Sequence, residues 1–140
     1  MSDGCVLVGT DFSAGSTAAL KEARRLAERL RCGVHVLHVV ESERVTGWEP
    51  SDDARSWLRA VVLDEAALDV RFGRAWIELA RYADACSPTF LVIGSHGASG
   101  YQPVAMGTTA QRLSLIARHP VLLVGTRYTT PRRRSGALSP

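Results

Sequence analysis

Apolar runs of strand length, separated by stretches of helical length, constrain this chain more than any other feature. The runs at residues 5–9 (CVLVG), 34–40 (VHVLHVV), 90–93 (FLVI) and 121–124 (VLLV) are nearly continuous in aliphatic residues. Such runs mark strands buried on both faces. A further run alternates Leu68, Val70 and Phe72 with Asp69 and Arg71, as a half-exposed edge strand does. Between the first two runs, Leu20, Ala23, Ala27 and Leu30 recur at steps of three and four. That spacing predicts an amphipathic helix with Ser13 or Ser16 as N-cap and Gly33 as its stop. Ser51, Asp52 and Asp53 open a second helix, with Ala54, Trp57, Leu58 and Val61 on its buried stripe. Trp76, Leu79, Ala83 and Cys86 mark a third, ended by Pro88, and Ala110, Leu113 and Ala117 mark a fourth. The order β-α-β-α-β-α-β-α-β predicts an α/β fold: a single-domain, doubly wound, five-stranded parallel sheet with helices on both faces.

A chain of 140 residues has room for one such domain. Its formal charge of +3 invites a nucleic-acid reading, but the excess is local. Arg127, Arg132, Arg133 and Arg134 follow Thr126 with no acid among them, which leaves residues 1–126 at −1. Residues 1–126 are therefore expected to form the domain, with 127–140 a basic, solvated and mobile tail. Nucleic-acid binding is not expected, since the tail has no aromatic platform and three adjacent arginines bind weakly and with strong salt dependence. Cys5, Cys32 and Cys86 show no CxxC or Cys/His ligand spacing, so free core thiols are expected. No apolar run is long enough to span a bilayer, and the opening Met1-Ser2-Asp3-Gly4 lacks a positive leader. A reduced, cytoplasmic protein without membrane contact is expected.

In a doubly wound sheet, ligands bind beyond the carboxyl ends of the strands where the strand order reverses. Two loops have suitable chemistry there: Thr10-Asp11 after the first strand, and residues 94–109 after the fourth. The latter reads Gly94, Ser95, His96, Gly97, nine further residues, then Gly107, Thr108 and Thr109 opening a helix. Glycines let a backbone approach a ligand closely and adopt positive φ. A helix start with two hydroxyls presents N–H groups to a phosphate. Asp11 could accept from a ribose hydroxyl or a base amine. These features point to a nucleotide or phosphorylated ligand across the two strand ends.

The spacing G-x2-G-x9-G-[ST], met by Gly94, Gly97, Gly107 and Thr108, resembles the ATP-binding branch of the universal stress protein family. The opening Val6-Leu7-Val8-Gly9-Thr10-Asp11-Phe12-Ser13 and the closing His119-Pro120-Val121-Leu122-Leu123-Val124 are similar to that family too. The resemblance spans residues 5–126 and implies strand order 3-2-1-4-5. It implies an adenine and ribose near Thr10 and Asp11, with the base packed on Val39. It also implies base and sugar along Ile93, Gly94, His96 and Gly97, and phosphates held by Gly107, Thr108 and Thr109. ATP or another adenine nucleotide is the implied ligand, with Mg²⁺ bound mostly through phosphate oxygens and water. A homodimer joined through the strand Val121–Val124 is implied as well, since an apolar sheet edge needs cover.

Three features depart from the family pattern. Thr108 stands where serine is commoner, residues 101–106 (YQPVAM) lack a basic residue near Gln102, and the segment between the second and third strands, which holds Trp48, is short. The expected role is an ATP-binding sensor or effector in stress response. The alternatives are a nucleotide-free dimeric interaction module and a slow ATP hydrolase. No Walker lysine is present, Lys21 is the only lysine, and segment 94–109 has no arginine, so no catalytic residue is assigned and hydrolysis is expected to be slow at most. Simpler roles suit the other polar residues. His35 and His38 fit packing or hydrogen bonding rather than metal, His96 fits a loop residue lining a sugar, and Trp57 and Trp76 fit the core.

Overall fold

The computed structural model describes residues 4–41, 52–61, 67–96, 107–125, 127–129 and 131. The elements are β1 (Cys5–Thr10), α1 (Ala14–Leu30), β2 (Gly33–Val40), α2 (Asp52–Val61), β3 (Ala67–Phe72), α3 (Ala75–Cys86), β4 (Phe90–Gly94), α4 (Thr108–Ile116) and β5 (Val121–Val124). All sheet pairings are parallel and the order is β3-β2-β1-β4-β5, as expected. Every residue of β1 is buried. Its alternation divides the core: Val6 and Val8 pack with Ala19, Leu20, Ala23 and Ala27 of α1 and with Trp57 of α2. Leu7 faces the other way, with Leu37, Leu91 and Ile93, onto Leu79 and Ala83 of α3 and Ala110 and Leu113 of α4. A strand covered on both faces has no use for polar residues, which explains the unbroken apolar run.

Several boundaries differ from the sequence reading. Gly33 does not end α1 but opens β2; the helix stops at Arg31, which adopts the left-handed region at φ 54° and donates its N–H to the Ala27 and Glu28 carbonyls. Leu30, expected on the buried stripe, is 42% exposed. Ser87 closes α3 in the same left-handed way, one residue before Pro88, and Ala117 lies just past the end of α4. Among the described residues, no helix is long and apolar enough to cross a membrane.

The three thiols are free. The fold brings Cys5 and Cys86, 81 positions apart, to 3.9 Å between sulfurs, at the end of the sheet away from the strand C-termini. Burial is the main cause that pushes the Cys5 thiol up to about 11, and it raises Cys86 as well.

Tyr128, which the sequence reading places in the tail, packs beside the α1 face of the core. Its hydroxyl donates to Glu22 Oε2 at 2.6 Å. Glu22 is 7% exposed and also accepts from the Arg25 guanidinium. A buried carboxylate costs little only when so satisfied. Arg25 first, and Tyr128 also, hold its pKa below the ordinary value. A carboxylate with a lowered folded-state pKa contributes stability above its unfolded pKa and loses it as pH falls through the folded value. Tyr128→Phe is therefore expected to cost about 1–2 kcal/mol at pH 7. The difference should shrink below the ordinary carboxylate range, as read by urea denaturation at pH 7 and near pH 3.

Candidate functional site

The strand order reverses between β1 and β4, and the carboxyl ends of these strands open into one cleft of about 1160 Å³. On the β1 side, the chain must turn sharply from the buried Thr10 into α1. Thr10 Oγ1 accepts the Phe12 N–H at 2.9 Å, and the His38 Nδ1–H donates to the Thr10 carbonyl at 2.8 Å. That carbonyl can only accept, so it fixes the His38 tautomer. Phe12 sits at φ 64°, a conformation that costs an ordinary residue roughly 1 kcal/mol or more. Its ring is held against His38 at 4.4 Å and edge-on to Trp57 at 5.4 Å between centroids. Aromatic packing offsets the backbone cost and turns Asp11 outward.

Asp11 is exposed at the mouth of the cleft, and its orientation is set locally. Its Oδ1 accepts from the Ser13 N–H at 3.0 Å and from the Ser16 hydroxyl at 2.7 Å. Ser16 Oγ in turn accepts the Asp11 N–H at 3.0 Å. Of the two candidate caps, Ser13 is the N-cap of α1 and Ser16 is the residue that holds Asp11.

The β4 side is closed by backbone. Ser95 N–H donates to the Val124 carbonyl at 2.9 Å, and Gly107 N–H donates to the Ser95 carbonyl at 2.7 Å, which joins the two ends of the loop. Helix α4 begins directly after that bond, with no side-chain cap at Gly107. By contrast α1 is capped by Ser13, and the first N–H of α3, that of Ala75, donates to Glu41 Oε1 at 2.8 Å. The start of α4, without a side-chain cap among the described residues, and the residues Thr108 and Thr109 line the cleft, an arrangement suited to an anion. Beside it, the Ser95 hydroxyl lies 2.9 Å from His96 Nδ1.

Gly94 and Gly15 act through size, not through φ. Gly73 has the only positive-φ glycine backbone among the described residues, and Gly107 lies at φ −61°. A Cβ on Gly94 would sit 3.2 Å from the Gly15 backbone, and one on Gly15 would sit 2.8 Å from the His96 carbonyl oxygen. The pair lets the start of α1 close onto the turn after β4. Gly15→Ala would gain helix propensity, but it would force backbone apart, and the steric term is larger. It is expected to destabilise by about 1–3 kcal/mol. Gly33→Ala, with nothing within 4 Å of the added carbon, should fall within about half a kcal/mol of the parent in the same denaturation series.

The structure brings nearly all of the sequence-selected residues together. Thr10, Asp11 and Val39 line one side of the cleft. Ile93, Gly94 and His96 line its base, with Gly107, Thr108 and Thr109 beyond. Gly97, Trp48 and segment 101–106 lie outside the described residues. The sequence reading missed Ser16, Glu41, Arg74, Trp76 and Arg112 as lining residues. Trp76, expected in the core, packs against its Leu7–Leu113 half while half-buried, and it also lines the cleft with Arg112 Cζ 5.3 Å from the ring centroid. For Arg112 a signal existed, since it falls four residues after Thr108 on one helical face. Among the described residues, no cluster of three metal-ligating side chains occurs. Trp57, expected in the core, lies there at 6% exposure, with an indole N–H that lacks a partner among the described residues.

The geometry can be set beside known proteins. A model of the universal stress protein family matches residues 5–125. The universal stress protein UspA from Lactobacillus plantarum superposes with a TM-score of 0.69 at 18% identity, covering 89% of this chain and 99% of its own. A universal stress protein solved in complex with cAMP gives 0.66 at 21% identity, covering 88% and 97%. One from Archaeoglobus fulgidus in complex with dAMP gives 0.61 at 20% identity, covering 86% and 96%. No curated protein sequence matches significantly. With the parallel 3-2-1-4-5 sheet, its cleft at the β1–β4 reversal and a family match over almost the whole body, the chain belongs to the universal stress protein family.

Proposed function

We propose that the cleft binds an adenine nucleotide, ATP with Mg²⁺, and that the protein acts as a nucleotide-dependent sensor or effector in the stress response. The observation that carries this is the convergence on one cleft of Thr10-Asp11, residues 94–96 and residues 107–109, with the start of α4 in its wall. Two structural neighbours were solved with adenine nucleotides, cAMP and dAMP, which supports an adenine ligand. Val39 and Ile93 offer apolar contact for a base, and Asp11 offers an acceptor for a sugar hydroxyl or base amine. Thr108, Thr109 and the N–H groups beside them offer donors to phosphate. Mg²⁺ would be held chiefly by phosphate oxygens and water.

The proposal extends to the assembly and setting. Strand β5 is an edge strand, with Val121, Leu122 and Leu123 half-buried, and a second copy joined there would cover it. Residues 1–126 would form the nucleotide-binding unit of a cytoplasmic homodimer, with Tyr128 packed onto it and a basic tail following.

Acid extraction of the purified protein, with identification of any released nucleotide, is the direct test. ATP–Mg²⁺ at 100 times its dissociation constant should add about 2.7 kcal/mol to stability, visible as a raised melting temperature. Gly107→Val fits the backbone at φ −61° and ψ 157°, so the fold should survive while phosphate approach and the thermal shift are lost. Asp11→Ala should weaken binding about tenfold through loss of a charged hydrogen-bond acceptor. Release of no nucleotide, with no shift in excess ATP–Mg²⁺, would refute the reading in favour of a nucleotide-free interaction module.

A further inference from the structure

Segment 94–109 contains no lysine or arginine, so the loop itself offers phosphate only dipoles and hydroxyls. The fold supplies cations from elsewhere. Arg112 of α4 and Arg74 at the N-cap of α3 both line the cleft. Helical side chains lean toward the N-terminus of their helix, which directs Arg112 back over the turn that begins at Thr108. Its guanidinium is seated on the Trp76 ring at 5.3 Å, and the indole lines the same wall. A guanidinium stacked on an aromatic face keeps its edge N–H groups available for a planar, bidentate contact.

The charge pairing points the same way. Arg25 and Arg81 are each paired with a glutamate on their own helix. Arg74 and Arg112 form no ion pair among the described residues. The cleft's carboxylates are engaged elsewhere, Asp11 with Ser13 and Ser16, and Glu41 with the Ala75 N–H. Among the described residues, the cleft is thus lined by two anions bonded to local donors and two cations without a carboxylate partner.

We propose that Arg112, seated on Trp76, and Arg74 form a cationic clamp for the outer phosphates, so that the cleft selects nucleoside triphosphates over monophosphates. This rests on the adenine-nucleotide reading of the same cleft and adds to it the charge state of the ligand. A monophosphate is served by the start of α4, whereas a triphosphate carries additional charge for guanidinium contacts to neutralise.

The test is isothermal titration of the full chain with ATP–Mg²⁺ and with AMP, for the parent, Arg112→Gln, Arg112→Lys and Arg74→Gln. Both arginines are exposed, and circular dichroism checks that each variant folds. Arg112→Gln is expected to weaken ATP by about tenfold or more and AMP by less than about twofold. Arg112→Lys should recover part of the loss, since it keeps the charge without the fork. Arg74→Gln should act in the same direction. Arg112→Gln should also flatten the salt dependence of ATP affinity. Equal losses for ATP and AMP, or no loss for either in a parent that binds both, would overturn the clamp and leave the nucleotide reading standing. A parent that binds neither nucleotide would overturn both.

Discussion

The complete burial of β1 is the constraint on which the rest of the molecule depends. With β2 on one side and β4 on the other, its backbone groups are satisfied within the sheet and both faces are packed by helices. Polar atoms can emerge only at its end, where Thr10 and Asp11 meet the reversal of strand order. The two neighbouring crossovers leave that point in opposite directions, so a gap opens there that no helix covers. The cleft is therefore a consequence of topology, and its chemistry is set by what the chain places on its rim.

Two mechanical devices keep that rim in shape. One is the left-handed Phe12, held against His38 and Trp57, which links the second helix through an aromatic contact to the loop that carries Asp11. The other is the approach of Gly15 to Gly94 and His96, with the Gly107–Ser95 backbone bond closing the long loop. Strain at Phe12 persists because the surrounding contacts over-determine it. The starts of α1 and α4 thus meet the ends of β1 and β4, each bounded by a short backbone or hydroxyl contact. Such a wall presents its N–H groups in a fixed arrangement, which lowers the cost of ordering them around an anion.

Charge is distributed with the same economy. The acidic groups of the cleft are tied to local donors, whereas Arg74 and Arg112 reach it from two different helices. The net charge of the chain says little about this, because its excess lies in the arginines after Thr126. At the opposite end of the sheet, Cys5 and Cys86 come together in surroundings that keep them protonated, so the two ends of β1 are chemically distinct.

Much of this was legible in the residues taken in order. Continuous apolar runs and helical stripes were enough for the class of fold, and the spacing of Gly94, Gly97, Gly107 and Thr108 was enough to point to the family. Local periodicity reports which face of an element is buried, and the motif reports its own segment. Neither reports what arrives from a distance. Arg31 ends α1 in the left-handed region two residues before the expected Gly33, whereas α3 stops at Ser87, directly before Pro88. Trp76 reads as core on its helical stripe and does pack against the core, and its ring also forms cleft wall with Arg112 upon it. The sequence by itself determined the sheet and its helices, since these follow from hydrophobic period and short-range spacing. Only the tertiary structure decided which charged side chains face the cleft, because that depends on how separate helices converge in space.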